Sequence, residues 1–185
     1  MGAIHNKNGL HLEKTDVTLG FIPLTDCAPL VIAHEKGYFA SEGLNVTLSR
    51  EVSWAGIRDK VGLGILDGAQ MLASIPVASR LGVGGPKIDM VSAMVLDLNG
   101  NAITVNNQLY NHLYEIDSRS EFSPLIAAQA LQCLIEESKR SKRPKLRFGV
   151  VYPCSTQSYE LRYWLASAGI DPDRDVEIVV IPPPK

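Results

Sequence analysis

Cysteine is scarce in this 185-residue chain: Cys27, Cys133 and Cys154 are odd in number and far apart. That excludes a disulfide framework and offers no zinc-type ligand spacing, so the three read as free thiols, which suit a reducing compartment. Long apolar runs are missing too, and none approaches the roughly 20 residues that a membrane helix needs. Residues 1–16 lack the apolar centre of a secretory or lipoprotein signal. With Met1 as the start, the expectation is a cytoplasmic protein as the chain stands, and a periplasmic one if the true start lies upstream. Neither charge sign dominates: 18 Lys and Arg against 20 Asp and Glu leave a net charge of -2. Direct nucleic-acid binding therefore has no electrostatic basis. His, Cys, Asp and Glu form no cluster with metal spacing, and no short-period repeat or low-complexity tract appears. The Gly82–Gly85 cluster follows a helical pattern and lacks the Lys-Ser/Thr of a phosphate loop. Cys154, His34 and Asp59 supply nucleophile, base and acid types, but no elbow motif joins them. No catalysis, metal or cofactor is expected.

What is present is an alternation of strand and helix signals. Residues 17–22 predict a strand that Pro23 ends. A helix follows over 27–36, with Thr25 or Asp26 as cap, Pro29 in its first turn and Gly37 as its stop. A strand over 44–49 leads through Ser53 into a helix running to about residue 66. Residues 69–73 read as a short buried strand, and 75–81 as a helix ended by Gly82. Strands over 90–96 and 102–105 flank a polar turn, 97–101. The order βαβαβαββ argues for an α/β fold with a mostly parallel, helix-flanked sheet. Beyond it come a short helix at 108–114, an amphipathic helix at 125–139, a strand at 146–151, a helix at 155–168 closed by Gly169, and a strand at 176–181. The expected organisation is a polar tail over 1–16, a first α/β lobe over 17–105, and part of a second lobe over 106–185.

Three strand-to-helix junctions, at 23–28, 49–56 and 152–157, offer hydroxyl or carboxyl caps. In an open parallel sheet such junctions gather at the carboxyl ends of strands, where ligands bind. At the second, Ser53 is placed as an N-cap, with Trp54, Ala55 and Gly56 as the first turn. The free N–H groups of that turn and the positive helix end suit a small anion. Gly56 leaves the approach open, and Trp54 adds a flat wall with one N–H donor. The basic run Lys139, Arg140, Lys142, Arg143, Lys145 and Arg147 reads as a solvated helix end, and Tyr159, Tyr163 and Trp164 read as packing residues.

Four stretches go further. Gly20-Phe21-Ile22-Pro23-Leu24-Thr25-Asp26, Ser53-Trp54-Ala55-Gly56-Ile57-Arg58-Asp59-Lys60, Leu98-Asn99-Gly100-Asn101-Ala102-Ile103-Thr104-Val105 and Glu160-Leu161-Arg162-Tyr163-Trp164-Leu165-Ala166, the last followed by Gly169-Ile170-Asp171-Pro172, resemble the nitrate/bicarbonate-binding family. Its members are the solute-binding components of nitrate-type ABC importers and the related cytoplasmic nitrate sensors. The resemblance runs from Val17 to Pro184 and corresponds to the N-terminal portion of the family. It implies a type II periplasmic-binding-protein-like fold whose two lobes close on one small planar anion, with the second lobe incomplete here. It implies ligand-binding roles for Trp54, Gly56 and Gln108. A family histidine falls on Gln157, which still donates but cannot become cationic, and which can accept the O–H of bicarbonate. The family's further charged ligand belongs beyond Lys185. The implied ligand is nitrate or nitrite, with bicarbonate as the alternative. The implied partners are an ABC permease and ATPase for an importer component, or an RNA-binding antiterminator for a sensor. A gene fragment without function of its own is a third expectation. An enzyme of the thiamine-pyrimidine type, which shares the fold, would need clustered His and Cys that the chain lacks.

Overall fold

The computed structural model describes residues 4–5, 9, 11–97 and 100–181, which fall into two compact units, one up to residue 97 and one from residue 100. In the first, two short strands, β1 (Ile4–His5) and β2 (His11–Leu12), pair antiparallel. They precede β3 (Asp16–Phe21), α1 (Ala28–Glu35), α2 (Tyr38–Ser41), β4 (Asn45–Arg50), α3 (Trp54–Gly62), β5 (Gly68–Ala69) and α4 (Ser74–Leu81). The sheet order is β4-β3-β5, all parallel, with Gly20 opposite both Ser49 and Ala69. Central β3 leads into Ile22, which joins Trp54, Ile57, Leu66 and Ile75 among the buried apolar residues. Gly20 is required by packing: a Cβ there would lie 2.6 Å from Leu66 Cδ1 and 3.3 Å from the Ala69 Cβ.

Several expectations are corrected here. The helix after Ser53 stops at Gly62 rather than residue 66, because Gly64 takes a left-handed turn (φ 70°) that returns Leu66 to the interior. The strand at 69–73 shrinks to Gly68–Ala69. Neither Thr25 nor Asp26 caps a helix: they sit in a short 3₁₀ turn, Thr25–Cys27, with no side-chain cap, and Asp26 is engaged elsewhere. Residues 90–96 and 102–105 form no strand, because a strand needs a ladder and none of them pairs among the described residues. Leu98 and Asn99 of the predicted turn, like the closing prolines, lie outside the described residues.

The second unit contains α5 (Asn107–Ile116), a 3₁₀ turn at Ser118–Glu121, α6 (Pro124–Arg140), β6 (Arg147–Val150), α7 (Thr156–Ser167) and β7 (Glu177–Val180). β6 and β7 are parallel, with Val150 opposite Val180. Leu131 and Ile135 of α6 and Leu161 and Leu165 of α7 bury their apolar faces against Phe148 and Val150. Trp164 packs on this core and donates from Nε1 to the Pro124 carbonyl at 2.7 Å. Tyr159 and Tyr163 do not pack as expected: they lie on the solvent side of α7, Tyr163 79% exposed. Part of the basic run is paired. Lys139 reaches Glu136 at 2.7 Å and Asp175 at 2.9 Å, and Arg147 reaches Glu177 at 2.9 Å. Among the described residues no helix is long and apolar enough to cross a membrane.

Candidate functional site

All three strands of the first sheet point the same way, so their exits at Ile22–Asp26, Glu51–Trp54 and Gln70–Ser74 share one edge, the carboxyl edge where α/β sheets hold ligands. At the β4 exit, Ser53 is extended (φ -156°, ψ 149°) and its hydroxyl accepts from Gly56 N at 3.0 Å. The predicted cap is therefore real, and it occupies the Gly56 N–H, so an anion there must share or replace that bond. Trp54 is only 2% exposed, and its Nε1 is buried without an acceptor. It is thus part of the interior with a donor unspent, not the open wall the sequence suggests. Such an orphan costs roughly 1–3 kcal/mol, a cost that a ligand oxygen would recover.

The charged neighbours are satisfied. Buried Glu51 is held by Lys60 Nζ at 2.7 Å and by the Ser49 hydroxyl at 2.9 Å. Arg58, also buried, donates from Nε to Asp59 at 2.8 Å and from Nη1 to the Gly84 carbonyl at 2.8 Å. A clamp that the sequence reading missed joins the β3 and β5 exits. Gln70, 3% exposed, accepts from Ile22 N at 3.0 Å and donates to Asp26 Oδ2 at 2.8 Å. Asp26 Oδ1 and Ser74 Oγ on the same edge are buried without partners. One polar residue inside the apolar run 69–73 was the available signal.

In the second unit, Ser155 caps α7, accepting from Ser158 N at 3.1 Å, as Ser53 caps α3. Gln157 stands in the first turn, its Oε1 buried without a partner, and lines a cavity of about 210 Å³ floored by β6 and bounded by residues 102–106 and Leu161. Gln108, in the first turn of α5, is exposed and is not among the residues lining that cavity. The shifted carboxyls lie away from these junctions. Asp117 is lowered to about 2, chiefly by its hydrogen bond from Arg119. Asp67 and Asp175 are lowered by hydrogen bonds from Lys14 and Lys139. Among the described residues no group of His, Cys, Asp and Glu is arranged to hold a metal ion, and the cysteines are free.

Comparison with known proteins follows the same lines. The chain is 43% identical over 179 residues to the nitrate import ATP-binding protein NrtC of Synechocystis, covering 96% of this chain and 25% of that protein. It is 34% identical over 183 residues to the nitrate/nitrite binding protein NrtA of Nostoc, covering 96% of this chain and 38% of that protein. To the bicarbonate-binding protein CmpA of Synechococcus elongatus it is 35% identical over 177 residues, covering 92% and 37%. The crystal structure of the periplasmic nitrate-binding protein NrtA from Synechocystis superposes with a TM-score of 0.72 at 30% identity, over 92% of this chain and 42% of that one. The chain therefore spans about a quarter of NrtC and well under half of the binding proteins, and its fold is part of a periplasmic-binding-protein α/β fold. Residues 11–185 match the NMT1-like family, and the chain belongs to that family, on its nitrate- and bicarbonate-binding side.

Proposed function

We propose that the chain binds a small planar oxyanion of the nitrate, nitrite and bicarbonate class, without catalysis, as a component of an ABC importer. The observation that carries this reading is the buried, unspent Nε1 of Trp54 in the first turn of α3, at the ligand edge of a parallel sheet. Gly56 beside it, and Gln108 and Gln157 in the second unit, are the further residues proposed to contact the anion. Relatives named for nitrate and for bicarbonate are about equally similar, so ligand choice rests on chemistry. Nitrate offers only acceptors and favours donors such as Trp54, whereas the buried Gln157 Oε1, as oriented, is an acceptor that bicarbonate O–H satisfies.

Calorimetric titration with nitrate, nitrite and bicarbonate tests the reading. Trp54→Phe keeps the ring and removes the donor. A hydrogen bond to a charged group is worth about 1.5–3 kcal/mol, so affinity should fall about tenfold or more. Undiminished binding by Trp54→Phe, or heat from none of the three anions, refutes the proposal.

A second reading concerns the partner. Identity to the relatives named as import or transport ATP-binding proteins runs from 34% to 44%, against 34–35% to the binding proteins NrtA and CmpA. That favours a module acting beside an ATPase, where anion occupancy reports to the transporter, over a sensor acting on an RNA-binding antiterminator. Anion-dependent change in the rate of a nitrate-type ATPase on adding this chain supports it, and an unchanged rate removes it.

A further inference from the structure

Charge is not spread evenly over the chain. Residues 136–147 hold six Lys and Arg against two Glu, a net charge of +4 inside a chain whose total is -2. Lys139 and Arg147 are spent on Glu136, Asp175 and Glu177, and Arg143 stands 4.0 Å from Glu137. Arg140, Lys142 and Lys145 are exposed and form no ion pair among the described residues, Lys145 acting on Asp175 only through space. The turn that carries them is fixed by its backbone: Ser141 N donates to the Glu137 carbonyl and Arg143 N to the Ser138 carbonyl, each at 2.9 Å. Lys142 takes a left-handed conformation (φ 53°), alone among the described non-glycine residues, at a place that glycine would fill without strain. The turn leads into the amino end of β6, whereas Ser155 and Gln157 follow its carboxyl end. The free cations and the second unit's share of the proposed anion site therefore lie at opposite ends of that strand.

We infer that Arg140, Lys142, Arg143 and Lys145 form a docking patch for an anionic lipid surface, through which the second unit is held against the membrane that carries its transporter. The occupant is argued from charge and from what the patch lacks. Residues 139–147 present exposed cations with no exposed aromatic among them. Protein interfaces draw their energy from aromatic and apolar anchors, and lysine is scarce in them. Single-stranded nucleic acid asks for aromatic faces beside the cations, and residues 138–147 offer only Phe148 next in line, which is buried. A field of lipid phosphates needs neither: it attracts exposed Lys and Arg without a shaped contact, over about one Debye length. That a membrane is at hand rests on reading the chain as a component of an ABC importer. Docking is measured on vesicles without nitrate, nitrite or bicarbonate, so failure to bind the anion and failure of this patch are separate results.

The test is co-sedimentation of the chain with phosphatidylcholine vesicles containing either no phosphatidylglycerol or about 40% of it, at about 0.05 M and about 0.3 M salt. The chain should bind the anionic vesicles at low salt, leave them at high salt and ignore the neutral ones. Replacing three cations together, Arg140→Gln, Lys142→Gln and Lys145→Gln, should weaken that binding about 100-fold, about fivefold for each. All three side chains are exposed, so the urea unfolding curve of the variant should match wild type. The same charge removed from the first unit, by Lys36→Gln, Arg80→Gln and Lys87→Gln, should change vesicle binding by about threefold or less. Binding to neutral vesicles as strong as to anionic ones overturns the inference, and so does the absence of binding at low salt. Both are read on the wild type and stand whether or not a variant folds. Equal weakening by the two triple variants overturns it in favour of net charge. Tighter retention by single-stranded RNA than by the anionic vesicles, at the same salt, overturns it in favour of a nucleic acid.

Discussion

Replacing Gln70 by glutamate changes one amide group into one carboxyl at the point where the β3 and β5 exits are tied together. The acceptor toward Ile22 N survives the change, because Oε1 is retained. The donor toward Asp26 does not: Nε2, 2.8 Å from Asp26 Oδ2, becomes a second carboxylate oxygen. Two unit charges at that spacing repel by about 6 kcal/mol at an effective dielectric of about 20. The protein has a cheaper route, which is to keep one proton on the pair. Holding a glutamic acid protonated at pH 7, against a reference pKa of about 4.3, costs about 3.7 kcal/mol, and this sets the ceiling. Gln70→Glu should therefore lose about 3–4 kcal/mol at pH 7. The folded pair has its pKa raised above the unfolded value, so the penalty is absent below about pH 4.3 and grows by about 1.4 kcal/mol per pH unit above it. Urea unfolding at pH 7.0 and 4.5, with wild type at both, reads this directly. Adding Asp26→Asn to Gln70→Glu should restore most of the stability at pH 7, since an amide again faces a carboxylate. A loss that is the same at both pH values, or no rescue by Asp26→Asn, would refute the clamp.

Three further outcomes follow from other contacts. Ser53→Ala removes the acceptor of Gly56 N and should cost about 1 kcal/mol in urea unfolding, whereas Ser53→Asp should restore the cap. Gly20→Ala drives a methyl into Leu66 and should cost about 1–3 kcal/mol, partly relieved by also shortening Leu66 to Val. Acid should destabilise the chain through Asp117, Asp67 and Asp175. Their folded pKa values are lowered, so their contribution is present above the ordinary carboxylate range near 3.8 and disappears as pH falls through the folded values, near 2 for Asp117. Stability measured between pH 5 and 2 should fall, and Asp117→Asn should flatten the low-pH end.

Local grammar made much of this fold readable. β3, β4, α6 and α7 follow period-2 or period-3.6 apolar patterns that any burying surface would select, and Ser53 announces its helix through the bond that the structure contains. Residues 90–96 have equally good strand grammar and no strand, because a ladder is a property of two segments and propensity is a property of one. The site divides in the same way. The position of Trp54 at a helix start is local and was legible, whereas its burial depends on what packs over it. Gln70 was invisible as a clamp residue because its partners, Ile22 and Asp26, stand 48 and 44 residues away. Tyr159 and Tyr163 share helical spacing with Trp164, but a six-residue pattern does not say which side of α7 meets β6.

Arg58 follows Trp54 by four residues, so the two side chains stand one above the other on the same face of α3. One end of that short rod holds an unspent donor, and the other grips the carbonyl of Gly84. If the proposed anion reaches Trp54, a tilt of that rod would be passed to the loop after α4, where Val83 is partly open to solvent. An environment-sensitive dye attached at Val83 would turn that coupling into an optical signal. It would make the first unit the basis of a reagentless anion indicator, read at a point remote from the anion itself.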